Sequence, residues 1–100
     1  MKRRKRISVT ESSGNVFLDL GFSPEEAENL RVRSTLMIYI RQAIRRKKLT
    51  QAKAARLFGV TQPRISDLMR GQIDLFSVDG LIGMLGRAGM QVEIGIKSAA

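Results

Sequence analysis

The sequence predicts a mainly α domain in which five helices are followed by a short C-terminal β-strand. Three observations carry this reading. Hydroxyl residues able to cap a helix stand at Ser23, Thr50, Thr61 and Ser77, each directly before a helix-compatible stretch. Glycines at Gly21, Gly59, Gly71 and Gly89 close the stretches, where a left-handed residue commonly ends a helix. After Gly89 the pattern changes: Val92, Ile94 and Ile96 alternate with Gln91, Glu93 and Lys97, the period of a strand.

Residues 1–13 read as a flexible basic N-terminal arm, and residues 14–100 as one domain. The arm opens with MKRRKR, passes a β-prone patch at Ile7 and Val9, and ends in Glu11-Ser12-Ser13 before Gly14. It suits either a DNA groove or a solubilising tail. Residues 15–22 hold an apolar cluster, Val16, Phe17, Leu18, Leu20 and Phe22, in a short helix or turn ended by Gly21. Ser23-Pro24-Glu25-Glu26 is a helix start with proline at the first position and a capping box between Ser23 and Glu26. The helix it opens spans residues 24–47 and would be about 36 Å long at 1.5 Å per residue. Leu30, Met37, Ile40 and Ile44 form its apolar side, and Arg45 to Lys48 complement the negative pole at its end.

Thr50 caps a helix over residues 51–58, which Gly59 stops, and Thr61 caps the next over residues 62–70, which Gly71 stops. A loop offers Ile73, Leu75 and Phe76 to the core. Ser77 then caps a helix reaching about residue 88. Gly80, Gly83 and Gly86 recur inside it, each costing about 1 kcal/mol relative to alanine, so a close helix contact is expected there, within the chain or across a dimer. The strand over residues 90–97 has two available partners, its own symmetry mate or the Ile7–Val9 patch.

Composition narrows the function. One hundred residues make one small domain, for which dimerisation is a plausible source of added stability. The absence of cysteine and histidine removes disulfides, thiolate metal sites and the commonest general base. Carboxylates are scattered, with no nucleophile–base pair and no phosphate-cradling loop, so neither an enzyme nor a cofactor is expected. No apolar run reaches signal or membrane-spanning length, and a cytoplasmic location without membrane contact is the default. The net charge of +9 is unevenly placed: residues 31–70 carry eleven basic residues against Asp67 alone, a net +10. That field would attract a polyanion, although a solvated basic face explains the charge equally well by itself.

The charge surrounds residues 49–71, LTQAKAARLFGVTQPRISDLMRG. Gln51 and Gln62 open its two short helices eleven positions apart, and Ala55, Gly59, Val60, Ile65 and Leu68 fall where a helix-turn-helix needs small, turning and core residues. At 100° per residue, Ile65, Leu68 and Met69 share one side of the second helix. Pro63, Ser66, Asp67 and Arg70 share the other, with Gln62 at the boundary. A helix laid in a major groove needs such a small or hydrogen-bonding outer face. Arg64 and Arg70 flank that face within reach of phosphates.

On these residues the stretch resembles the helix-turn-helix of the Cro/cI-like (XRE) repressors. The resemblance implies a five-helix-type helix-turn-helix domain bound to double-stranded operator DNA. It implies that Gln51 binds backbone phosphate and braces Gln62, which reads a base. By position Pro63, Ser66 and Asp67 would face base edges, Arg64 and Arg70 would hold phosphates, and Thr61 would cap the reading helix. Pro63 replaces a polar reader found in many relatives, and Asp67 sets a negative charge toward DNA, where it could accept from cytosine N4 or repel phosphate. A wider similarity runs from NVFLDLGF through SPEE, the long helix, LTQ…GVTQPRIS…RG and FS to the closing VEI, and resembles a HigA-like antitoxin and regulator group. It implies an autorepressing homodimer with a cognate toxin partner. The apolar 16–22 segment and the long helix are the candidate toxin contacts. A toxin-neutralising module with little DNA binding, and a non-specific nucleic-acid binder, are the competing readings.

Overall fold

The computed structural model describes residues 5–9 and 15–98. Strand β1 (Lys5–Val9) is followed by α1 (Val16–Asp19), α2 (Pro24–Arg46), α3 (Gln51–Phe58) and α4 (Gln62–Met69). A single 3₁₀ turn (Ile73–Leu75), α5 (Val78–Arg87) and β2 (Met90–Ile94) complete the order. Five helices and a C-terminal strand are therefore present where the sequence places them. Among the described residues, no helix is long and apolar enough to cross a membrane.

Each helix starts on the polar side chain before it. Ser23 Oγ accepts from Glu26 N at 3.3 Å, Thr50 Oγ1 from Lys53 N at 3.1 Å, Thr61 Oγ1 from Arg64 N at 3.4 Å and Ser77 Oγ from Gly80 N at 3.0 Å. Such a cap satisfies a backbone donor that the helix itself cannot, and removing one typically costs about 1 kcal/mol. Asn15 does the same for α1 through Phe17 N, while its amide nitrogen donates to Ala27 O at 3.2 Å and ties α1 to α2. The ends of α2, α3 and α4 share one closure. Leu49 N donates to Ile44 O, Val60 N to Ala55 O and Gln72 N to Asp67 O, all at 3.0 Å. Each wraps around a left-handed residue, respectively Lys48 (φ 52°), Gly59 (φ 70°) and Gly71 (φ 74°).

α2 is the spine. Its Leu36, Met37, Ile40, Ala43 and Ile44 are buried with Ala54, Ala55 and Phe58 of α3, Ile65 and Leu68 of α4, and Leu81, Met84 and Leu85 of α5. Full burial of each such aliphatic or aromatic side chain contributes about 1.5–3 kcal/mol, so these faces hold four helices in one arrangement.

β1 and β2 pair in parallel, with Lys5 opposite Met90, Ile7 opposite Val92 and Val9 opposite Ile94. The strand over residues 90–97 thus ends at Ile94, and of its two available partners the Ile7–Val9 patch of the same chain is the one it takes. Residues 5–9, expected in the flexible arm, are a strand instead. The reason is packing: Ile7 is fully buried in the common core and β2 offers it a ladder of backbone partners. The remainder of the expected arm, residues 1–4 and 10–13, lies outside the described residues.

Among the described residues, the close contact expected at the α5 glycines is not made. A Cβ at Gly83 or Gly86 would meet nothing within 4 Å, and at Gly80 it would meet only the capping Ser77 Oγ, at 3.1 Å. Gly83→Ala is therefore expected to stabilise the fold by about 1 kcal/mol. That is a rise in melting temperature of about 4–8 °C for a domain of this size. Ile7→Ala is expected to cost about 2–4 kcal/mol through the cavity it leaves. A melting temperature unchanged by that substitution would mean that β1 does not belong to the core.

Candidate functional site

α3 and α4 form the candidate site, and the turn between them sets its geometry. α3 stops at Gly59, whose backbone is left-handed (φ 70°, ψ 34°), and Thr61 caps α4 only two residues later. So tight a reversal needs a residue without a Cβ for a second reason. The stem of Arg87 lies across it, and a Cβ at Gly59 would stand 3.0 Å from Arg87 Cγ.

α4 is then held on one side and open on the other. Ile65 and Leu68 are fully buried and Met69 is half-buried, the three residues that the helical arithmetic assigns to the inner face. Gln62, Pro63 and Arg70 are exposed, while Arg64, Ser66 and Asp67 are half-buried. Gln51 and Gln62 are the first residues of α3 and α4, both exposed, and among the described residues neither amide takes part in a hydrogen bond. Both are thus available to a ligand as donor and acceptor. Pro63 is accommodated because a first-turn residue has no intrahelical use for its N–H.

The arginines differ in their commitments. Arg70 donates from Nη2 to Asp67 Oδ1 at 2.6 Å, one turn back on the same helix. The two residues expected to act separately, one on phosphate and one on a base, are paired with each other. The Arg70 side chain remains 64% exposed, and a pair in that setting is worth at most about 1 kcal/mol, so a phosphate can compete for it. Arg64 turns toward the segment after α4. Its Nη1 donates to Leu75 O at 2.8 Å and its guanidinium carbon lies 4.3 Å from the centre of the Phe76 ring. Arg33 of α2, which sequence reasoning did not single out, donates from Nη1 to Ile73 O at 3.1 Å and Phe76 O at 3.2 Å. Two arginines from different helices therefore tie residues 73–76 to α2 and α4 at once. The sequence signal for Arg33 is only its i−4 neighbour Asn29, whose Oδ1 accepts from Arg33 Nε at 2.7 Å. Arg41 of α2 lies beside Gly71, its Nη1 3.7 Å from where a Cβ would be.

The helix-turn-helix domain family matches residues 16–97. The chain belongs to that family. A solved structure, assigned by its name to the XRE family of transcriptional regulators, is similar to this helix-turn-helix protein with a TM-score of 0.66 and 33% sequence identity. The match covers 73% of this chain and 82% of that one. No curated protein matches the sequence. The matched region runs from α1 to just past β2 and leaves β1 outside it.

The clamp by Arg64 makes a prediction about stability. Arg64→Ala removes a charged hydrogen bond and a contact with the Phe76 ring and is expected to cost about 1–2 kcal/mol. Thermal unfolding checks it, and an unchanged midpoint would show that Arg64 contributes nothing to holding the turn.

Proposed function

We propose that this protein is a sequence-specific transcriptional repressor that binds double-stranded operator DNA as a homodimer and represses its own promoter. The observation that carries the reading is α4, anchored through Ile65 and Leu68 while Gln62 and Pro63 stand in solvent, inside a segment of net charge +10. Both the helix-turn-helix family match and the similarity to a protein named as an XRE-family regulator support it.

In this reading α4 enters the major groove. Gln62, free to donate and accept at once, suits the N6 and N7 pair of adenine. Pro63 offers only apolar contact, as to a thymine methyl, and Ser66 is small enough to let the helix approach. Asp67 accepts from a cytosine N4 once Arg70 leaves it for a phosphate. Gln51 and the remaining N–H groups of Arg64 hold the backbone on either side, and Thr61 fixes the start of the reading helix. The basic segment steers the encounter and supplies the salt-dependent part of the affinity. A dimer places two copies of α4 about 34–36 Å apart, one turn of DNA. Operator binding of this kind places the protein in the cytoplasm.

A second reading, neutralisation of a small toxin, is favoured by one surface. Val16, Leu18, Leu20 and Phe22 are 61%, 48%, 68% and 41% exposed along and just after α1. Phe17 and Phe22 pack edge to face at 6.3 Å between centroids, and Asp19, Glu25 and Glu26 stand nearby in the chain. Glu28 is already engaged: its hydrogen bond to Arg31 holds its carboxyl below the usual carboxylate range. An apolar surface with carboxylates beside it suits a basic protein partner. Co-expression with the product of an adjacent small reading frame tests this, and failure to rescue growth removes the toxin-neutralising half.

Selection from random oligonucleotides tests the main reading. Enrichment of a two-fold-symmetric sequence is expected, and no enrichment reduces the protein to a non-specific binder. Gln62→Ala is expected to weaken binding to the selected site by about 1–3 kcal/mol and random DNA far less. Equal losses on both would remove Gln62 from base reading.

A further inference from the structure

Beside the reading helix lies an open cleft of about 540 Å³ that the helix-turn-helix motif alone does not complete. Ala52, Ala55 and Gly59 line it together with Arg56 of α3, Gln62 of α4 and Arg87, the last residue of α5. Among the described residues, no carboxylate lines it. Among the described residues, neither Arg56 nor Arg87 takes part in an ion pair, and both are exposed. Arg87 reaches the cleft by crossing Gly59, with Cγ, Nε and Cδ at 3.0, 3.3 and 3.4 Å from the position of the missing Cβ. A side chain at position 59 would displace that stem, so the turn is shaped to admit an arginine from outside the motif.

We propose that this cleft is a phosphate site, in which Arg56 and Arg87 grip one backbone phosphate of the bound DNA next to the base contacted by Gln62. The small residues allow a phosphate oxygen to come close, and two guanidinium groups match its geometry with several N–H donors each. The inference rests on the DNA-binding reading and extends its interface to α5, about sixteen residues beyond the motif's end at Gly71. Inorganic phosphate has the same chemistry, so a free anion is the alternative occupant.

The test is the salt dependence of binding to the selected operator and to a random duplex, for the whole protein and for Arg56→Gln, Arg87→Gln and Arg87→Lys. Unchanged melting temperatures establish that the variants are folded. Each glutamine variant is expected to lose up to about 0.9, the contribution of the one phosphate the two arginines share, from the slope of log K against log salt, and to bind both duplexes up to about 5–10-fold more weakly at 0.1 M salt. Arg87→Lys should recover most of the slope. Wild-type slope and affinity in Arg87→Gln would overturn the proposal while leaving the DNA-binding reading intact. Loss of sequence preference by the wild type would overturn that reading alone, because the random duplex still measures the phosphate grip. If the wild type binds no duplex, the backbone assignment falls. Titration with inorganic phosphate, followed at the Gly59 and Gln62 amides, then shows whether a free anion occupies the cleft instead.

Discussion

The left-handed turn at Gly59 is the constraint on which the site depends. It ends α3 after eight residues, closes through Val60 N and Ala55 O, and delivers the chain to Thr61 in position to cap α4. The angle between α3 and α4 is then settled by what each must bury. Phe58 and Ala55 go under from one side, Ile65 and Leu68 from the other, and α2 supplies the shared surface. With those residues inside, helical geometry leaves Gln62, Pro63 and Arg70 outside. The exposed face of α4 is thus a consequence of its buried face.

Charge in this protein is divided by role. Arg33 and Arg64 spend their donors on the carbonyls of residues 73, 75 and 76, so that the segment after α4 is tied to two helices at once. Arg31 is bound to Glu28, and Arg70 to Asp67. Arg56 and Arg87 line a cleft without a carboxylate. The net +10 of residues 31–70 is therefore partly scaffold and partly available field. In the proposed reading a rigid backing for α4 matters, because a bidentate base contact discriminates only if the helix cannot shift to accommodate the wrong one.

Lys48 adds a point of strain to an otherwise relaxed frame. It adopts φ 52° in the turn from α2 to α3, where glycine serves at the equivalent closures after α3 and α4. A left-handed non-glycine residue costs about 1–2 kcal/mol, which the Leu49 and Lys48 backbone hydrogen bonds to Ile44 and Arg45 help to offset.

Much of this architecture was legible in the chain because it is local. A cap is a hydroxyl and an amide three residues apart, as with Thr61 and Arg64. A closure is a left-handed residue directly after a helix, and an amphipathic face is a spacing, so Ile65 and Leu68 could be sorted from Gln62 by arithmetic. The register of helices against one another was not legible, because it depends on pairs far apart in sequence. Arg33 meets Phe76 across 43 positions, and Arg64 meets Leu75 across eleven, through contacts that no periodicity encodes. For the same reason the sequence assigned Ile7 to an arm and the α5 glycines to a helix contact. Whether an apolar residue finds a slot, or a glycine a neighbour, is decided by the opposing surface. The sequence by itself determined the helices, the caps at their starts and the inward residues Ile65 and Leu68 of α4. Only the tertiary structure decided that β1 joins β2, that Arg33 reaches Phe76, and that Arg87 crosses Gly59, since each requires surfaces that do not exist until the helices have packed.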